Sequence, residues 1–258
     1  ETNGGLLTIS ELSTMVFNGK NEVFLAWMGV IIVSFSVILF LISNGCYILL
    51  NVKNKWTKMS SIVLFFFGVI GSAVCIYIGT TTAGNFMNEA EIERELIAID
   101  EGQELVLEVA RDDAQRKIGN FKVKHGRRMN WIQIKDETVY SSGIEIYYRP
   151  SKDSLFHVYQ NFTADGRHYN EALNRAKHLK HQVKIDSNVV QVPVFYQYPK
   201  SDKFRNQEAH VVIEIPKNKW VRIGNERIGA EPEDQDSYYR SYLRRNGRFD
   251  HWRSHHWF

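Results

Sequence analysis

The chain has 258 residues, of which 44% are hydrophobic and 24% charged, and its net charge is +3. That length holds about one or two domains, and so small a charge gives no reason to expect a nucleic-acid partner. Both cysteines, Cys46 and Cys75, fall inside apolar runs, so the rest of the sequence has no disulfide framework and no thiolate metal site. The first residue is Glu1, and the chain reads as a fragment or processed form. Residues 1–21 lack the basic start of a signal peptide.

Residues 1–22 form a flank in which Leu6, Ile9, Leu12 and Val16 recur at helix-like spacing. A short helix on the membrane surface and an ordinary loop fit it equally. Two uncharged runs follow, Val23–Leu50 and Met59–Ala83, with the turn Asn51–Lys58 between them. Each is long enough to cross a bilayer as a helix. At ~1.5 Å per residue the first spans ~42 Å against a hydrocarbon core of ~30 Å, so it must tilt or enter the headgroups. The turn carries Lys53, Lys55 and Lys58 and no acid, whereas Glu89, Glu91 and Glu93 follow the second run. The positive-inside rule therefore predicts a cytoplasmic turn and both chain ends outside. Gly71, Cys75 and Gly79 make a stripe of small residues, with Gly68 and Ser72 beside it. Such a stripe predicts a close packing face for the first helix, another helix or a partner.

Residues 84–96 read as an acidic juxtamembrane linker, a solvated spacer with room for one or two helical turns at Asn88–Leu96. From 97 to 228 the apolar residues alternate. Leu105, Leu107 and Val109, then Ile132 and Ile134, Ile144, Ile146 and Tyr148, Val183 and Ile185, and Val211, Ile213 and Ile215 mark half-buried strands. Turn signals at Asp100–Gly102, His125–Gly126, Ser142–Gly143, Asp165–Gly166, Asp186–Asn188 and Pro216–Asn218 separate them. The spacing predicts an all-β domain. One stretch, Asn170–Lys180, has helical periodicity through Ala172, Ala176 and Leu179, with Asn170 as its cap. Tyr148, Phe156, Tyr159, Phe195, Tyr196, Tyr198 and Trp220 read as bulk for the sheet rather than as a binding platform. The tail, residues 229–258, starts acidic, ends basic and aromatic, and has no sustained period. It reads as disordered, with an interaction peptide as the sharper alternative.

The hairpin with its KNKW turn (Lys53–Trp56), the stretch Asp165–Val190 and the stretch Tyr198–Lys219 resemble the C-terminal part of Bacteroidota-type PspC (phage-shock-protein C) domain proteins. The resemblance covers Leu6–Ile228. It lacks the N-terminal PspC domain, as a fragment would, and the tail matches nothing in it. It implies extra transmembrane helices followed by a toast-rack β domain like those of LiaF-like regulators, single-sheet and β-solenoid-like, with one short helix. It also implies a bacterial inner membrane, a periplasmic β domain and a role in envelope stress.

Chemistry is sparse. There is no HExxH, no nucleophile elbow and no phosphate-binding glycine loop. His178 and His181, and His251, His255 and His256, are the histidine groupings, and neither has the acid–histidine spacing of a metal site. His157 and His210 read as strand residues, Asp112/Asp113 and Asp136/Glu137 as solvated turns, and Asn161–Thr163 as a chance sequon. No residue is assigned as catalytic, cofactor-binding or metal-ligating, and no cofactor is expected. The expected partners are the lipid bilayer, with self-association or membrane stress-response proteins. The leading expectation is a non-enzymatic membrane protein of envelope-stress sensing. The alternative is an anchored structural or adhesive β module that self-associates or binds envelope polymers.

Overall fold

The computed structural model describes residues 9–50, 55–100, 102–110, 121–125, 128–229, 238–243 and 249–254. The chain divides into two compact units, a helical one over Ile9–Asn85 and a second that holds Phe86 onward.

The helical unit contains α1 (Ile9–Val16), α2 (Lys20–Leu50) and α3 (Lys55–Gly84). Carboxylate Oε2 of Glu22 accepts the backbone N–H of Asn18 at 2.9 Å, which satisfies a donor at the entry to α2. Lys20–Gly45 and Met59–Gly84 are long and apolar enough to cross a membrane. Lys55–Lys58, expected in the turn, wind into α3 instead. Nothing in Lys-Trp-Thr-Lys breaks a helix, and winding satisfies backbone groups that a loop would leave open. At the other end the polar exit stays helical through Gly84, and the hydroxyls of Thr80 and Thr81 turn back to donate to the carbonyl of Tyr77 at 2.9 and 3.0 Å.

The two long helices meet along a seam of small residues. A Cβ on Gly71 would lie 2.9 Å from side-chain carbons of both Ile32 and Val33, and one on Gly29 would lie 2.9 Å from Cys75 Sγ. Gly68 and Ser36 continue the seam, while Gly79 faces open space. Three members of the expected small-residue group, Gly68, Gly71 and Cys75, thus face α2, where backbones without side chains between them gain dispersion contact. Phe24, Leu41, Phe65 and Ile76 point outward, each more than half exposed.

The second unit is built on fifteen described strands and one α-helix. The strands are β1 (Asn88–Ile99), β2 (Glu104–Ala110), β3 (Phe121–His125), β4 (Arg128–Lys135), β5 (Thr138–Ser142), β6 (Glu145–Pro150), β7 (Phe156–Gly166), β8 (Lys184–Asp186), β9 (Val189–Pro193), β10 (Phe195–Pro199), β11 (Glu208–Ile215), β12 (Trp220–Ile223), β13 (Glu226–Gly229), β14 (Tyr238–Leu243) and β15 (Phe249–Ser254), and the helix is α4 (Tyr169–His178). They form three sheets rather than one: β1-β7-β11-β6-β14-β15, β10-β5-β4-β3 and β13-β12-β2-β9-β8. Most neighbours are antiparallel, but β6 runs parallel to β11, and β2 runs parallel to both β9 and β12. These parallel pairs carry the solenoid-like character.

Two segments differ from the sequence reading. The linker 84–96 is no spacer, because Asn88–Ile99 is a twelve-residue strand paired with β7 from Asn88↔Gly166 to Ile99↔Phe156. The tail 229–258 is not disordered over its described residues, because β14 pairs with β6 and β15 with β14. The β domain therefore starts before 97 and continues past 228. Helix α4 begins one residue earlier than expected, and its N-cap position is His168, without a side-chain cap, rather than Asn170.

The core forms where strand faces meet. Leu105, Leu107, Ile144, Ile146, Tyr148, Phe156, Phe162, Ile213 and Val221 are buried, as are Ala172, Ala176 and Leu179 of the helical segment. The β7–α4 junction is tight, since a Cβ on Gly166 would lie 2.6 Å from the backbone nitrogen of Ala172.

Candidate functional site

The six-stranded sheet has two unlike faces, which its register separates. One carries Ala90, Phe162, Ala209, Val211, Ile213 and Ile146, all buried. The other carries rows of ionisable residues. Glu95, Tyr159, Val212 and Tyr147 lie side by side across β1, β7, β11 and β6; so do Glu93, Asn161, His210 and Glu145; and His157, Glu214 and Arg149 lie together on β7, β11 and β6. Strand β1 supplies four exposed glutamates, Glu89, Glu91, Glu93 and Glu95, at a period of two.

These side chains are knitted together. His157 Nδ1 lies 2.8 Å from Glu95 Oε1, and its Nε2 lies 3.0 Å from Asp153 Oδ2. The carboxylates on both sides, Glu95 foremost, hold the imidazole above its ordinary range. Asp153 is held below the usual carboxylate range, first by the N–H of Leu155 at 2.8 Å and then by His157. Arg149 Nε donates to Glu214 at 2.7 Å, its Nη2 lies 3.7 Å from Glu93, and its guanidinium sits 5.2 Å from the Tyr159 ring centroid. Burial and the charges of Glu214 and Glu95 push the Tyr159 phenol up. Asn161 donates to Glu91, and Tyr147 donates to Glu145 at 2.6 Å. The arrangement is an acidic face whose outermost strand has no strand neighbour on its far side among the described residues.

The start of β1 is pinned. Arg205, wholly buried, lays its guanidinium 5.3 Å from the Phe86 ring centroid and donates Nη1 to Phe204 O at 2.6 Å. The carbonyl of Arg205 accepts the N–H of Asp165 at 2.7 Å, and Asn88 donates to Arg167 O at 2.6 Å. Only Asn85, Phe86 and Met87 separate the end of α3 from β1.

The residues singled out in the sequence fall as follows. Tyr148, Phe156, Phe195, Tyr196 and Tyr198 are buried, in keeping with bulk, while Trp220 is half-buried and donates to Glu104 at 2.9 Å. His178 Nδ1 meets Asp202 at 2.9 Å. His181 instead is buried, with Nε2 2.9 Å from Pro193 O, so the two histidines do not converge. Among the described residues no three His, Cys, Asp or Glu side chains gather into a metal-binding group. Asp136 and Glu137 form the β4–β5 turn, with Asp136 at φ 53°, and Asn161–Thr163 lies within β7. Asp112, Asp113, His255 and His256 lie outside the described residues, as do turn residues 51–54. The acidic rows of β1 and the pin at Arg205 escaped the sequence reading. The strict alternation of glutamate over Glu89–Glu95 was the available signal for the first. Nothing in the sequence marked the second.

Residues 133–256 match the family model described as the toast-rack domain found in some PspC proteins. The C-terminal domain is therefore a toast rack of the PspC type. Its match runs from β4 through β15, so the tail belongs to the toast rack and not outside it. Strands β1 and β2 lie before the matched residues, yet each pairs with strands of the toast rack. Comparison with curated proteins and with solved structures gives no match.

Proposed function

We propose that the protein is a membrane-anchored sensor of envelope stress, in which the toast rack reads a condition outside the cytoplasm and α3 carries that state into the membrane. The observation that carries this reading is the junction at 85–87. The edge strand of the sensing face follows the membrane-capable helix after three residues, and its start is pinned by Arg205 and Asn88. A ligand that pairs with β1 or rearranges its glutamates would act on the strand covalently joined to α3. The toast rack of PspC-type proteins is a regulatory-type domain and not a known enzyme class, which supports binding over turnover. The lysines of the turn support an inner-membrane hairpin with a periplasmic toast rack.

Inserting Gly-Ser-Gly-Ser between Asn85 and Phe86 tests the coupling. The expected outcome is a variant that accumulates in the membrane but no longer supports the transcriptional response to membrane-damaging agents. A variant that responds like the unaltered protein contradicts the coupling. A null strain that responds normally contradicts the stress reading itself.

A further inference from the structure

His157 of β7 has a carboxylate on each ring nitrogen. Nδ1 lies 2.8 Å from Glu95 Oε1 on β1, and Nε2 lies 3.1 and 3.0 Å from the two oxygens of Asp153 in the β6–β7 loop. An ionised carboxylate only accepts, and a neutral imidazole carries a proton on one nitrogen only. Both contacts therefore hold together only while the ring is an imidazolium. Loss of one proton sets a bare nitrogen against a carboxylate oxygen.

The two carboxylates are not held equally. Asp153 also accepts the N–H of Leu155 at 2.8 Å and the hydroxyl of Ser151 at 3.0 Å, so it stays in place. Glu95 has no other hydrogen-bond partner among the described residues, and 48% of its side chain is exposed. The contact to Glu95 is thus the one that fails. Glu95 also stands at an irregular point of β1. It pairs with Tyr159 and Ile97 pairs with Val158, so Leu96 has no place in the register. Such a bulge interrupts the ladder, and Leu96 and Ile97 are 38% and 40% exposed. The other groups around the ring come from three strands. Glu214 of β11 stands opposite His157 in register and accepts from Arg149 of β6 at 2.7 Å, and the Tyr159 ring of β7 stacks on the imidazole with centroids 6.0 Å apart. Three carboxylates against one guanidinium favour the charged ring.

We propose that His157 is a proton-operated latch on β1: protonated, it ties Glu95 to the Asp153 loop and holds the strand at its bulge; neutral, it lets Glu95 go and frees the strand around Leu96. The toast rack then reads the acidity on its own side of the membrane, with a rise in pH as the releasing signal. The latch rests on the reading above, in which β1 carries the sensed state to α3. One proton operates it, so the released fraction rises about tenfold per pH unit below its midpoint.

The test uses the full chain in detergent micelles, with Cys46→Ser and Cys75→Ser and a nitroxide spin label on Leu96→Cys. Electron paramagnetic resonance reads the label from about pH 5.5 to 9. Its mobile fraction rises with pH in one step whose midpoint lies above 6.5, while a label on Asn225→Cys in the β12–β13 turn does not change. His157→Gln leaves the Leu96 label mobile at every pH. Glu95→Gln leaves it immobile at every pH, because an amide accepts from a protonated nitrogen and donates to a bare one. The two variants depart in opposite directions, which a general loss of folding cannot imitate. Mobility at Leu96 that ignores pH, that changes equally at Asn225, that titrates in either variant, or that is the same in both variants overturns the latch. The label reads β1 alone, so a failed latch leaves the stress reading standing, and a null strain that responds normally to membrane damage leaves the latch standing.

Discussion

His181 shows how one residue sets a pH limit on the domain. Its ring is buried and accepts no solvent, its Nε2 donates to the carbonyl of Pro193, and Gln160 Nε2 donates to its backbone carbonyl at 2.5 Å. Burial lowers its pKa from 6.5 to about 4. The unfolded chain therefore binds a proton below pH 6.5 that the folded chain refuses until about pH 4. Stability from this group is complete above pH 6.5 and is lost as pH falls toward 4, by about 2–3 kcal/mol between pH 7 and 4.5. His157 has the opposite sign. Its raised pKa adds stability below its unfolded value and loses it as pH rises through the folded one. Urea unfolding of the domain's fluorescence at pH 7 and 4.5 checks the first effect. His181→Gln should remove most of the acid-induced loss, and an equal loss in both proteins contradicts the assignment. Sequence reading placed His181 beside His178 on helical spacing. Only the fold separates them, because the chain leaves the helix at Leu179 in extended conformation.

At the scale of elements, the junction of β7 and α4 depends on the absence of one methyl group. The Gly166 position faces the backbone of Ala172, so no side-chain rotation can relieve an added Cβ. Gly166→Ala must shift α4 away from β7 and should destabilise the domain by about 1–3 kcal/mol. Thermal unfolding followed by circular dichroism measures it, and an unchanged midpoint contradicts the close approach. The same scale shows why β1 was illegible. Glu, Ala, Ile, Arg and Leu favour helices or suit solvent, so NEAEIEREL reads as a spacer. What makes it a strand is the neighbouring β7, which receives its backbone hydrogen bonds along eleven register pairs. Strands with Val, Ile and aromatic alternation, such as β11 and β6, were legible because their own side chains carry the pattern. The hairpin of α2 and α3 was the most legible part, since length and lack of charge suffice for it.

For the whole molecule, labelling from outside the cell reads the orientation of the hairpin. In a background of Cys46→Ser and Cys75→Ser, a membrane-impermeant maleimide added to intact cells should label Ser151→Cys in the toast rack and not Lys53→Cys in the turn. The reverse pattern would put the toast rack in the cytoplasm and contradict the proposed direction of sensing. The single-sheet picture gave way because register is a long-range property. Trp220 pairs with Glu104, and Ile99 with Phe156, partners that no local pattern can match. That same register has a consequence for synthesis. Strands β1 and β2 emerge directly after the hairpin, but β2 waits for β9 and β12 and β1 waits for β7. Contacts so far apart in sequence form slowly, and the waiting edges stay exposed to aggregation and proteolysis. A nascent chain therefore carries β2 without its partners until β9, and then β12, has been made.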